Sequence, residues 1–382
     1  MRLPRIDREF IFKDDPRQPE VHCSTVQVAS GVVYATWFGG SREGHSDVKI
    51  WFSKRVNDQW RPPQVIAGEQ GLVHWNPVSF LPDPLRYPRH LYVFYKIGTP
   101  IPSWQTFFIE TLDGGEKWSL PRELVPGDRS GGRGPQKNPP IVLSNGDWIA
   151  GSSREVTLPS TGQGVWDAYV DIAPSPETDS GPSKGKGETC RQGEKWLRSD
   201  FVRLPEDRGV EGGSFPGEGV IQPSLWESPP PKQGHVHMIL RSSIGRIVRS
   251  DSEDYGRSWS PGHPTDLPNN NSGQCICRMR DNRLVIALNA SSRNWGPRTP
   301  LILKISPDDG DTWLPWCTLE DQPPPDGFER VVALETGIVN DGKSEFSYPT
   351  VTPTALDDQG GVWVSYTWQR RGIAVCRITD EA

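Results

Sequence analysis

Three segments of this chain share one spacing: TLDGGEKW at 111–118, SEDYGRSW at 252–259 and SPDDGDTW at 306–313. Each reads Ser/Thr-x-Asp-x-Gly-x-(Ser/Thr/Lys)-Trp. The chemistry suits a hairpin turn: the Asp side chain caps backbone N–H groups, Gly takes a conformation closed to other residues, and Trp packs back under the loop. One copy would say little, but three at identical spacing predict a fold built from one supersecondary unit repeated around the chain. SKRVNDQW at 53–60 keeps only the ends of the pattern, and the stretch 174–196, ending in EKW, reads as a degenerate copy.

Composition agrees. With 39 Gly, 38 Pro and 34% hydrophobic residues, the chain is punctuated too often for long helices. Its 36 aromatics, 16 of them Trp, are too many for a disordered chain and require a packed core. The three motifs resemble the Asp boxes of the sialidase superfamily, where each box joins the third and fourth strands of a propeller blade. That resemblance implies an all-β propeller of four-stranded antiparallel blades. In the second blade NPVSF, HLYVFYKI and WQTFFIETL supply strands, and in the fifth QCICRM, RLVIALNA and LILKIS do so. First strands starting near His22, His74, Lys137, Gln222, Asn271 and Ser347 give intervals of 52, 63, 85, 49 and 76 residues, hence six blades. The polar stretch at about 174–200 inside the longest interval is expected as an exposed insertion and leaves a seventh blade open. The prediction is one domain over 1–382, with the amino-terminal REFIF closing the last blade.

The formal charge of −6 comes from interspersed acids and bases, which argues against a nucleic-acid surface. No stretch reaches the roughly 18 apolar residues of a membrane span, and MRLPRIDREFIFKDD lacks a signal core. The chain is therefore expected off the membrane as a monomer, cytoplasmic if this terminus is native and secreted if a signal has been removed. The six cysteines show no C-x-x-C spacing, and Cys275 and Cys277 read as small core residues on one strand face.

In a propeller the loops leading into the first strands converge on one face. Reading those mouths gives His22 and His74, Arg133, Lys137 and Asn138 in GGRGPQKNPP, Gln222 in VIQPSLWE, Asn269 to Asn271 in LPNNNSG, and Glu345 with Tyr348 in EFSYPTV. A histidine or tyrosine at a strand mouth is also a common packing residue, and three successive asparagines suit a turn. The basic members of the set fit an acidic sugar. Arg42 and Asp47 in GGSREGHSD are placed at the pocket edge, Lys96 in FYKIG beneath His74, and Trp75, Trp166 and Trp295 as stacking platforms. No motif specifies a metal or requires a cofactor; a structural calcium held in the channel by backbone carbonyls and water would leave no side-chain signature.

Sialidases use three arginines, an Asp acid/base and a Tyr–Glu pair. Their first arginine lies in an Arg-Ile-Pro run at the first blade, where this chain has VHCSTV; Arg241 in LRSSIGR and Arg298 in WGPR are candidates for the later two. A longer likeness runs through WFGGSREG, HWNPV, FYKIG, GGRGPQKNPP, QPSLWE, LPNNNSG, NWGPR, EFSYP and YTWQRR. Together these resemble the sialidase-like propellers that include the fungal L-rhamnose-α-1,4-D-glucuronate lyases. The resemblance implies β-elimination on a uronic-acid-containing glycan, releasing terminal rhamnose. Such chemistry needs a proton acceptor and a cation against the carboxylate as charge develops. On this reading His74 is the acid/base and Arg133 the neutraliser, with Tyr348 a further catalytic candidate. Lys137, Asn138, Gln222, Lys96, Trp75, Arg42, Asn270, Asn271, Arg241 and Glu345 then serve the substrate. Two alternatives stand beside it: a retaining exo-glycosidase using Tyr348 with Glu345, and a non-catalytic glycan-binding propeller.

Overall fold

The structure is a computed structural model that describes residues 4–157, 164–176, 192–204, 219–321, 345–354 and 360–380. Strand β1 (Arg5–Lys13) is followed by a first blade of β2 (Glu20–Ala29), β3 (Val32–Gly40), β4 (Lys49–Val56) and β5 (Gln59–Trp60), with β6 (Gln64–Ala67) also pairing β4. The second blade is β7 (His74–Phe80), β8 (Leu91–Ile97), β9 (Gln105–Thr111) and β10 (Arg122–Glu123), and the third is β11 (Ile141–Val142), β12 (Trp148–Thr157), β13 (Gly164–Ala173) and β14 (Leu197–Arg198). The fourth is β15 (Val220–Glu227), β16 (Val236–Ser242), β17 (Arg246–Ser252) and β18 (His263–Pro268), and the fifth is β19 (Cys275–Arg278), β20 (Leu284–Asn289), β21 (Leu301–Ser306) and β22 (Leu314–Glu320). The sixth, β23 (Phe346–Pro353), β24 (Val362–Trp368) and β25 (Gly372–Thr379), takes β1 as its outer strand. Every pairing is antiparallel, and Arg5 pairs with Thr379, so the two ends of the chain close the ring together.

The described residues thus form six blades. The inner strand of the third is only two residues long and begins after Lys137, because 136–140 run into it past two prolines that cannot donate to a ladder. Six buried clusters fill the six gaps between neighbouring blades. Phe52 of the first blade meets Leu91 of the second, and Val21 of the first meets Trp363 of the sixth. Strands buried on both faces explain the apolar runs LYVFYKI and LVIALN.

The three boxes lie where expected, between third and fourth strands. Asp113 Oδ1 accepts from the N–H groups of Glu116 and Lys117 (3.0 Å each), and Asp254 Oδ1 from those of Arg257 (2.9 Å) and Ser258 (2.8 Å). Gly256 has φ +82°, and a Cβ there would stand 2.3 Å from Ile149 of the preceding blade, so the glycine permits both turn and contact. The partial copy at 53–60 is a two-residue hairpin, with Asn57 and Asp58 both at positive φ. At the other degenerate copy, the Trp196 indole donates to Gly193 O at 2.8 Å, as Trp259 does to Gly256 O; the rest of that stretch, 177–191, lies outside the described residues. No helix among the described residues is long and apolar enough to cross a membrane.

Candidate functional site

Near the starts of four inner strands the ladder breaks in the same way, between His22 and Thr25, Trp75 and Val78, Ile221 and Ser224, and Ser347 and Thr350. Each break holds a non-glycine residue at positive φ: Cys23 (54°), Asn76 (37°), Gln222 (55°) and Tyr348 (51°). Such a conformation is uncommon for L-residues, and its recurrence at one register position marks a constrained site. Proline follows three of the four, lacking the N–H that the broken ladder no longer uses and disfavouring right-handed helix in the residue before it.

The bulge makes these side chains converge. Gln222 Nε2, from the fourth blade, donates to Tyr348 Oη of the sixth at 3.2 Å. Arg241 Nη1 donates to the same oxygen at 2.6 Å, while its Nε donates to Asn271 Oδ1 at 2.7 Å. The Arg241 guanidinium lies 5.4 and 5.3 Å from the half-buried indoles of Trp166 and Trp295. Around the Tyr348 ring stand the His22 imidazole at 4.2 Å, the Arg298 guanidinium at 5.2 Å and the Lys137 ammonium at 5.8 Å. His22 Nδ1 is 2.9 Å from Thr367 Oγ1, and Arg298 Nη1 reaches His22 Nε2 at 3.5 Å; an arginine only donates, so Nε2 is the accepting nitrogen.

Glu345 neutralises part of this charge. Its Oε1 accepts from Ser347 Oγ (2.7 Å), Arg370 Nε (2.7 Å) and Arg298 Nη1 (3.3 Å). Arg370 is further clamped by Glu43 and lies 3.8 Å from Glu20. Burial opposes its charge, but the three carboxylates outweigh burial and hold it protonated. Arg298 is shifted the other way, burial lowering it despite Glu345.

The remaining expected residues lie in or around this cluster, most with their polar groups engaged; the buried Oδ1 of Asn270 has no partner among the described residues. Lys137, fully buried, donates to Asn138 Oδ1 (3.0 Å), Gln274 O (3.3 Å) and Pro349 O, which uses all three of its protons across the channel; burial lowers its pKa. Asn138 Nδ2 donates to the carbonyls of Gln222 and Pro223, both at 3.1 Å. Asn270 donates to Pro297 O at 2.6 Å. Arg42 sits in a turn that Asp47 closes by accepting from Ser41 N (2.9 Å) and Oγ (2.8 Å). The Trp75 indole donates to Gly98 O at 3.0 Å and packs on Trp104, so it is a buried wall.

His74 and Arg133 have their polar groups engaged elsewhere. His74 is fully buried two residues before the bulge, a register position held by Val220 and Phe346 in other blades, both core residues. Its Nδ1 faces Leu72 O at 3.0 Å and its Nε2 faces Glu69. Arg133 pairs with the buried Asp171 through Nε (2.7 Å) and Nη2, and Asp171 also accepts from Gly134 N (2.6 Å). Lys96 lies beside this pair, donating to Thr106 Oγ1 (2.7 Å) and to Arg133 O (2.8 Å), and burial brings its pKa down to about 7.

The members that the residue-by-residue reading undervalued are His22, Arg298, Arg370 and Asn76. A sequence signal exists for three of the four bulges, Asn76-Pro77, Gln222-Pro223 and Tyr348-Pro349; Asn138-Pro139 repeats the pair in the third blade without a positive-φ residue, and Cys23 has the bulge without a proline. Among the described residues no group of three or more His, Cys, Asp or Glu is arranged to hold a metal ion.

The chain belongs to the BNR repeat-like domain family, whose pattern matches residues 31–357. No curated protein sequence matches it. Among solved structures it is similar to a protein of unknown function from Dyadobacter fermentans, at 13% identity over 98% of this chain and 99% of that one, with a TM-score of 0.65. It is also similar to the NanB sialidase of Streptococcus pneumoniae (11% identity, 97% and 70% covered, TM-score 0.63) and to Trypanosoma rangeli sialidase (13%, 98% and 59%, 0.61). At these identities the likeness is one of fold alone, the β-propeller described above.

Proposed function

We propose that this protein is a carbohydrate-active enzyme that binds an acidic sugar at the Tyr348 mouth and cleaves the glycan there by β-elimination. One observation carries the reading: Arg241 and Gln222 both donate to the Tyr348 hydroxyl oxygen, with Arg298 beside the ring. A phenolic oxygen held by two donors suits a group that gains and loses a proton, and the flanking guanidiniums suit the carboxylate of a uronic acid.

In the reaction, Tyr348 Oη acts as the phenolate, held by the Arg241 and Gln222 donors, and takes the C5 proton next to that carboxylate. The C5–H electron pair forms the C4=C5 double bond, the C4–O bond breaks, and the departing oxygen takes the same proton back from Tyr348 Oη, which restores the phenolate. Arg298 and Arg241 stabilise the charge that develops on the carboxylate, where one removed donor is typically worth about 10²- to 10³-fold. His22, against the Tyr348 ring, is the nearest second group for proton transfer. Terminal rhamnose on glucuronate is the substrate proposed from the sequence likeness. The roles expected of His74 and Arg133 pass in this reading to Tyr348 and to Arg241 with Arg298, because the first two already spend their polar groups on Glu69 and Asp171.

The second reading, hydrolysis through a tyrosine nucleophile, draws on the same residue and on the fold likeness. It needs a carboxylate to activate the phenol, whereas Glu345 Oε1 is engaged by Arg298, Arg370 and Ser347. Incubation with a rhamnose-capped glucuronide distinguishes them. The lyase yields the ultraviolet absorbance of an unsaturated uronate, the hydrolase releases both sugars without it, and a binding protein releases neither.

A further inference from the structure

The channel has a second opening. The carboxyl-terminal ends of the inner strands, at the face opposite Tyr348, surround a cavity of about 920 Å³. All six blades line it, through Val28, Phe80, Ile141, Trp226, Ile276 and Val351. Lys137, reaching across to Gln274 O and Pro349 O just behind the bulge, stands between the two mouths.

Apart from Arg280, the charged groups around this basin are engaged within the protein. Arg278 pairs with Asp309 and donates to the carbonyls of Glu227 (3.1 Å) and Asn282 (2.7 Å). Asp309 also accepts from Ser228 Oγ and from the Trp226 indole at 3.1 Å. Glu227 accepts from Ser144 N and Oγ at 2.7 Å each and from Gly234 N at 2.8 Å. Arg280 lies exposed at the rim.

The uncharged polar side chains of Gln27, Thr352, Thr354 and Asn282 line the cavity, Asn282 exposed, Thr352 half-buried, and Gln27 and Thr354 buried. Thr354 is 3% exposed, and its Oγ1 has no partner among the described residues, a condition native interiors rarely leave uncompensated. Between these groups lie apolar walls and prolines such as Pro82, Pro139 and Pro229, which offer no backbone N–H.

We infer that this basin is a second binding site, for a neutral oligosaccharide. Sugar rings present C–H faces to apolar and aromatic walls, and their hydroxyls both donate and accept, which pairs amides and hydroxyls alike. A purely apolar ligand would leave Thr354 and Gln27 unpaired. The cavity lies within the usual 300–1,000 Å³ of small-ligand sites. The site is independent of the chemistry at Tyr348.

Calorimetric titration of the full chain with cellotetraose and with β-1,4-galactotetraose tests it, with tetragalacturonate as the anionic control. At least one neutral probe is expected to bind equally at low and high salt, to bind Tyr348→Phe as it binds wild type, and to bind Gln27→Leu/Thr354→Val about tenfold more weakly. Gln233→Trp, at an exposed rim position, should also weaken binding by obstructing the cavity without touching the core. The inference is overturned if neither neutral probe binds, if binding is lost in Tyr348→Phe or screened by salt, or if both basin variants bind as wild type does.

Discussion

Two groups of buried cations lie at the same end of this propeller and look alike in sequence, yet they are built to opposite ends. Around Asp171, Arg133 and Lys96 donate to a buried carboxylate, a hydroxyl and backbone carbonyls, all within the protein. Around Tyr348, Arg241 and Arg298 face an aromatic ring, a phenolic oxygen and a half-buried indole pair, with one shared carboxylate, Glu345, against Arg298 and Arg370. The first arrangement holds a loop together. The second, in the function proposed above, keeps donors and cations where a ligand's negative charge can complete them. The difference teaches that a cation near a channel is informative only once its acceptors are known.

The sharpest way to break this comparison is to exchange the expected catalytic residues. Tyr348→Phe should lower the rate of glycan cleavage by about 10²- to 10⁴-fold, the usual worth of a positioned proton-transfer group, with the thermal midpoint little changed. His74→Gln should leave the rate near that of wild type. A folded His74 variant without activity, beside an active Tyr348 variant, would reverse the assignment.

Asp171→Asn comes next, and its effect should appear in stability. Removing one partner of a buried pair leaves the other charge uncompensated, which typically costs about 3–5 kcal/mol. Urea denaturation should show that loss while the protein still folded keeps its activity. A neutral effect on stability, or a lost rate at full stability, would move Asp171 and Arg133 to the functional side. Arg298→Lys should cost about 10²- to 10³-fold on a uronate substrate, because an ammonium replaces a planar fork. If the same loss appeared on an uncharged substrate, Arg298 would be acting on Tyr348 and not on a carboxylate.

The fold was legible because its signal is periodic and local. Three boxes carry the Asp cap, the positive-φ glycine and the packed tryptophan at fixed offsets, and β1 was readable as the closing strand from REFIF alone. The site was legible in its inventory but not in its register. Reading the mouths found Gln222, Asn271, Glu345 and Tyr348, yet His74 was weighted over Asn76 two positions later. A bulge of one positive-φ residue decides which of these enters the channel and which enters the core; apolar alternation does not reveal it, and its one trace in the sequence is the proline that follows three of the four bulged residues. Arg370 was obscure for another reason. Its meaning rests on Glu20 and Glu43 of the first blade, which ring closure alone brings beside it.

The smallest effect concerns Lys96 and sharpens the comparison through pH. Its pKa in the fold is about 7, against an ordinary 10.5, because burial opposes the charge more than Asp171 and Asp128 support it. Between those two values the unfolded chain binds the proton more fully than the folded one. By linkage, this group makes stability rise with pH from about 7 to 10.5, and below 7 its penalty is fully present and constant. Lys96→Met removes that slope, so its stability relative to wild type should grow as pH falls through the window and level off near neutrality. Denaturation of both proteins across the window measures the gap directly. A gap that stays constant with pH would mean that the Lys96 charge is as well solvated inside the Asp171 cluster as in water, and the contrast with the Tyr348 mouth would then rest on geometry alone.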